Sequence, residues 1–439
     1  MTDFSGLWSR VTGLRVQISE TRGLRPETCR RVLIGALLLA SSAGPTAAQT
    51  RVLRVHSKLL NEDRVVHVSL PANYALARQR YNVIYLLDGQ VRPFFDLTVA
   101  SAEYDVVGDS HDVATPPQIV VGVDQRDRGE DLARNQELFT RFLVEELVPF
   151  VDHTYRTTGY RTLIGHSLGG RFALMTFCRA PGVFPAVIAI SATGGDSTAF
   201  DAMTGCLARS FASNRTRVQQ LVLSAGEREP RVLAGVTRLA EYLRANAPPN
   251  WRWTTVDGTG LGHTDTPRAT IPAGVRFLYD RTVWEMPAAR ADSITAGQLD
   301  PDRAISALYM DLSARIGTTV APSLKWMLAA AHVHVKRGDA NAEQAVRQLI
   351  AAYPEDLEGY GMLADLAAAR GDRELARRTL SDALEMLNRL EIHDVYERER
   401  KQRLLEAAIA ALRRRGLGGG ARSRGVQADP AQAASPIAS

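Results

Sequence analysis

Between Arg51 and Asp280, short apolar runs rich in β-branched residues alternate with stretches whose apolar positions recur at helical spacing. The runs are Val52 to His56, Val65 to Leu70, Val83 to Leu87, Ile119 to Val123, Thr162 to Gly165, Val187 to Ser191, Leu221 to Ser224 and Trp253 to Val256. Between them, Asn135 to Asp152 places Leu138, Phe142, Leu143, Leu147 and Val151 at the spacing of a half-buried helix. Arg171 to Arg179, Arg231 to Arg244 and Arg268 to Tyr279 read the same way. Eight strands alternating with helices predict a mostly parallel sheet covered on both faces, an α/β fold.

From about Thr282 the strands stop, and Ala- and Leu-rich helical segments run to Leu412. Leu324 to Tyr353 and Leu357 to Leu384 both place a Gly-Asp pair after a helix, at Gly338-Asp339 and Gly371-Asp372, and then resume with Ala-x-x-x-Leu. This resembles tetratricopeptide repeats, whose small Ala positions let paired helices approach closely. The segments Ala304 to Ser313 and Val395 to Arg413 would serve as caps. A helical appendage with no peptide groove fits the pattern equally well.

Arg30-Arg31, the apolar run Val32 to Ala40, and then the small residues up to Ala48 follow the order of a signal peptide. The run is too short to span a bilayer, so a cleaved leader over 1–48 and no membrane anchor are expected. The net charge of +5 sits at the two ends. Residues 1–48 hold six arginines against three acids, and the stretch after Leu412 holds five arginines against Asp429 alone. The part expected to fold is slightly acidic, so nucleic-acid binding loses its electrostatic footing. The stretch 413–439, rich in Gly, Ala and Ser, is expected to be disordered. Of the three cysteines, Cys178 and Cys206 follow the leader. Export would permit a disulfide between them, and two small buried thiols fit as well. No Cys or His metal spacing and no phosphate-binding or dinucleotide glycine pattern is present in the sequence, so neither metal nor cofactor is expected.

Gly165-His166-Ser167-Leu168-Gly169-Gly170 follows an apolar strand and opens a helix. A serine on such a turn projects its hydroxyl clear of the backbone, and the next amide points at a developing oxyanion. A neutral serine is a weak nucleophile and needs a base. Four histidines follow it: His263, His332, His334 and His393. The last three fall in the helical region and read as surface or packing residues. His263 lies in the Gly-rich loop 258–264, after the last strand and before the last helix, where a base belongs. The acid is expected after the strand Leu221 to Ser224, at Glu229, with Glu227 the near alternative and Asp196 or Asp201 distant ones. A second oxyanion amide is expected from Gln90 in Asp88-Gly89-Gln90, with Asp88 bracing that loop.

Tyr81 to Gly89, Val120 to Arg128 and Phe142 to Gly170 resemble the Putative esterase family of α/β-hydrolases, which includes esterase D-like enzymes, bacterial siderophore esterases and mycolyltransferases. Gly226 to Glu229 is similar to its acid loop, and His263 to Pro267 to its histidine loop. The resemblance covers about residues 51–280. It implies a serine hydrolase with Ser167 as nucleophile, His263 as base, Glu229 as acid, and the amides of Gln90 and Leu168 as the oxyanion hole. It also implies a small-molecule ester as substrate, siderophore lactones being one class. The expected organisation is a leader over 1–48, a hydrolase domain over 49–281, a tetratricopeptide-like domain over 282–412 and a tail over 413–439, in a periplasmic or secreted protein. Two other readings keep the same residues. One is an inactive scaffold that docks a protein or peptide through its helices, and the other is an acyltransferase that differs only in its acceptor.

Overall fold

The computed structural model describes residues 50–103, 116–192, 197–284, 288–296, 298–392 and 394–417 of the 439. The leader, Asp196, His393 and the tail beyond Leu417 lie outside the described residues. The strands are β1 (Arg51–Ser57), β2 (Glu62–Ser69), β3 (Tyr81–Leu87), β4 (Gln118–Val123), β5 (Thr157–His166), β6 (Ala186–Ile190), β7 (Gln219–Ser224) and β8 (Trp251–Val256). They form one sheet in the order β1-β2-β4-β3-β5-β6-β7-β8. The six strands from β4 to β8 are parallel, whereas β1 and β2 run antiparallel to their neighbours at one edge.

Burial explains that division. The strands β3, β4, β6 and β7 are buried along their whole length, as parallel strands covered on both faces must be. At the antiparallel edge β1 alternates between exposed and buried positions. The strand β5 is longer than the apolar run Thr162 to Gly165 suggests, because its polar first half still pairs with β3.

The helix expected over Asn135 to Asp152 runs from 136 to 154 with a widened, π-type turn at Phe142–Leu147, and a separate π-type turn at Glu130–Arg134 precedes it across the non-helical Asn135. Its apolar pairs Leu138/Leu143 and Phe142/Leu147 are five residues apart, a spacing that a widened turn brings onto one face. Two helices carry no strong periodic signal in the sequence, Arg92–Glu103 and Ser197–Ser213. Cys206 on the second is bonded to Cys178 on helix Leu168–Arg179, with Cα atoms 5.7 Å apart, which settles the pairing in favour of the disulfide.

The described residues fall into two compact units, 50–359 and 360–417. In the first, one apolar cluster lines each face of the sheet. Helix Pro301–Ile316, expected to cap a repeat array, instead sets Leu308, Leu312 and Ile316 into the same cluster as Ile84, Ile188 and Val275. The shift from strands to helices near Thr282 is therefore a change of secondary structure within continuous packing. The same unit holds a helical hairpin, Leu324–Arg337 and Ala342–Ala352, whose first helix ends at Gly338 with φ of +62°. In the second unit, Gly371 (φ +85°) precedes helix Arg373–Arg389, which Asp372 caps through the Leu375 amide at 2.9 Å. The last helix, Val395–Leu417, extends through residues 413–417, which were expected to begin the tail. No helix among the described residues is long and apolar enough to cross a membrane.

Candidate active site

Five adjacent parallel strands, β3, β5, β6, β7 and β8, deliver their following loops to one edge of the sheet, where open α/β sheets bind ligands. Ser167 stands at the end of β5 with φ of +58° and ψ of −119°, a backbone conformation costly for any side chain but glycine. Its amide donates to Ile190 O at 2.8 Å, and its carbonyl accepts from the Arg171 amide at 3.0 Å, so the turn is locked between β6 and the helix it opens. Glycine is required on both sides. A Cβ at Gly165 would collide with the Gly169 carbonyl, and one at Gly170 would come within 2.6 Å of Ile190 O. The Leu168 amide opens helix Leu168–Arg179 and has no partner within it, because the first amides of a helix have no preceding carbonyl to bond.

The loop after β3 lies against this turn. Asp88, itself at φ +59°, takes a forked ion pair from Arg128 at 2.7 and 3.1 Å, and Arg128 also donates to the His166 carbonyl at 2.7 Å. Gly89 packs its Cα where a Cβ would be 2.5 Å from Gly122 C. Gln90 and Gln125 exchange hydrogen bonds, from Gln90 Nε2 to Gln125 O at 3.4 Å and from the Gln125 amide to Gln90 Oε1 at 3.2 Å. Asp88 thus braces the loop that carries Gln90.

Glu229 meets His263. Its Oε1 accepts from His263 Nδ1, and its Oε2 accepts from Ser191 Oγ at 2.9 Å, the Gly226 amide at 2.8 Å and Thr266 Oγ1 at 3.2 Å. A carboxylate can only accept, so the proton on that imidazole sits at Nδ1 and the Nε2 lone pair is left free. Burial raises the Glu229 pKa, but the bonds from His263, Gly226 and Ser191 outweigh it and hold the carboxyl below the ordinary glutamate value of 4.5. Glu227 points elsewhere and accepts from the Gly260 amide at 2.7 Å. Asp201 is on the exposed side of helix Ser197–Ser213.

The residue before Ser167, His166, lies against His263 with ring centroids 4.5 Å apart, and no hydrogen bond joins the Ser167 hydroxyl to the His263 ring among the described contacts. Such bonds are often long before substrate binds. His332 pairs with Glu358 at 2.6 Å, and the buried His334 pairs with Asp339 at 2.9 Å, so neither joins this edge of the sheet. Ser191, Thr266 and Arg128 are the supporting residues that linear reasoning misses. Arg128 and Thr266 carried a signal, as parts of the family-like stretches Val120 to Arg128 and His263 to Pro267. Among the described residues no group of three or more His, Cys, Asp or Glu is arranged to hold a metal ion.

Residues 57–274 match the Putative esterase family. An uncharacterized protein, YjcH, of Bacillus subtilis (strain 168) is 35% identical over 143 residues, covering 30% of this chain and 57% of that protein, so the chain spans little more than half of that relative. An IroE-like serine hydrolase from Shewanella oneidensis superposes with a TM-score of 0.55 at 21% identity, covering 69% of this chain and 98% of its own. An uncharacterised protein from Capnocytophaga ochracea DSM 7271 gives 0.54 at 16% identity, covering 83% and 100%. At these identities the likeness is one of fold.

Proposed function

Because residues 57–274 carry the Putative esterase pattern, we propose that this protein is an exported serine hydrolase that cleaves carboxylic esters through an acyl-enzyme on Ser167. The observation that carries the reading is the buried Glu229 carboxylate on His263 Nδ1, with His263 packed against the residue that precedes a serine on a strained strand-to-helix turn. His263 Nε2 takes the hydroxyl proton as Ser167 Oγ bonds to the acyl carbon, and the carbonyl electron pair moves onto oxygen. The amides of Leu168 and Gln90 donate to that oxyanion, and Glu229 stabilises the imidazolium. Collapse expels the alkoxide, which takes its proton from His263. A water molecule then repeats the sequence, frees the acid and restores the serine.

Export is supported by the leader-like order of residues 1–48 and by the Cys178–Cys206 bond, a pairing typical of oxidising compartments. A family of ester-cleaving enzymes supports a small-molecule ester as substrate. In the test, wild type hydrolyses short p-nitrophenyl esters and is labelled by a fluorophosphonate at Ser167, and Ser167→Ala loses both. Full turnover by Ser167→Ala would refute the assignment.

A further inference from the structure

Resting on the esterase reading, we propose that His166 is a positioning residue: it pins the loop carrying His263 to the turn carrying Ser167, so that base and nucleophile keep one register. His166 Nε2 lies 2.8 Å from the His263 carbonyl oxygen. A carbonyl only accepts, so Nε2 bears the proton and the side chain is a donor. The two imidazoles lie with centroids 4.5 Å apart, and Phe94 and His166 meet in a T-shaped pair at 5.6 Å. The histidine next to the serine therefore holds the main chain of the base and packs against its ring.

The loop has need of such a tie. It contains Gly258, Gly260 (φ +74°) and Gly262. Its other long-range anchors run to the acid loop: the Glu227 amide to Gly258 O at 2.9 Å, the Arg228 amide to Leu261 O at 3.0 Å and the Gly260 amide to Glu227, while its Gly262 carbonyl accepts locally from Thr266 Oγ1 at 2.8 Å. Among the described hydrogen bonds, the one from His166 alone joins this loop to the serine turn. Without it His263 would follow the acid loop while Ser167 followed β5 and β6. The Arg128 guanidinium and Asp88 steady the other side of His166 by holding its carbonyl.

Charge fits the same role. Burial, with the neighbouring His263 second, lowers the His166 pKa to about 4. His166 is therefore neutral when His263 becomes an imidazolium, and the two rings do not repel each other as cations.

Full-length His166→Phe and His166→Gln variants test this. Phenylalanine keeps a ring without the donor, and glutamine keeps an N–H donor without the ring. With p-nitrophenyl acetate, kcat of His166→Phe is expected to fall about 10- to 100-fold with KM little changed. His166→Gln should recover most of that loss, at equal thermal stability. Wild-type kcat in His166→Phe, or an equal loss in both folded variants, overturns the proposal. Wild type that neither hydrolyses esters nor takes the fluorophosphonate defeats the esterase reading alone. The tie is then judged by the downfield NMR signal of the His263 Nδ1 proton. Loss of that signal to solvent exchange in His166→Phe supports the tie, and an unchanged signal overturns it.

Discussion

The choice between two glutamates two residues apart turns on what each oxygen accepts. Glu229 receives His263, Ser191, Gly226 and Thr266, whereas Glu227 only ties down the histidine loop. Glu229→Gln keeps the shape but loses the charge that fixes the imidazole tautomer, so kcat should fall about 10³- to 10⁴-fold while Glu227→Gln stays far closer to wild type. Steady-state kinetics on the two variants decides this, and equal losses would remove the assignment. The same substitution alters acid stability. The folded pKa of Glu229 lies below its unfolded value, so its contribution is present above the unfolded pKa and is lost as pH falls through the folded one. Denaturant unfolding across the acidic range should show a shallower loss in Glu229→Gln than in wild type. The identity of Ser167 and His263 as candidates was legible in one dimension because the turn needs its glycines and the base needs a loop after the last strand. The partners of Glu229 were not, because Ser191 and Thr266 come from two other segments.

At the level of elements, the sheet was readable because parallel strands must be apolar along both faces, and all eight runs became strands. Helix Ser197–Ser213 was not, because its buried stripe is built from Ala199, Met203, Cys206, Leu207 and Ser210, with few large apolar residues. It is held instead to the helix that follows Ser167 by the Cys178–Cys206 bond, which closes a loop with a sequence separation of 28. By chain entropy that closure is worth about 3–4 kcal/mol. Cys206→Ser, or reduction of the wild type, should lower the unfolding free energy by about that amount, read from denaturant curves with and without reductant. No change on reduction would mean the bond contributes nothing to stability.

For the whole molecule, the informative finding is that the helices between Thr282 and Gly359 belong with the sheet. Ile305, Leu308, Leu312 and Trp326 share a cluster with Ile84 and Ile188, and the Val218 amide at the start of β7 donates to Arg315 O at 2.7 Å. A chain ending at Asp280 should therefore expose an apolar sheet face and lose soluble yield, whereas one ending at Gly359 should stay folded. Soluble expression and thermal unfolding of the two truncations check this, and a stable, soluble chain ending at Asp280 would contradict it. By itself the sequence determined the fold class, the order of its elements and the strand-to-helix serine turn, because those follow from local periodicity and from the steric demands of single residues. Only the tertiary structure decided which carboxylate reaches His263, that His166 grips the same loop, that the cysteines meet and where the packed unit ends. Each of these depends on segments distant in the chain that the parallel sheet brings to one edge or one face, and no local pattern records such distances.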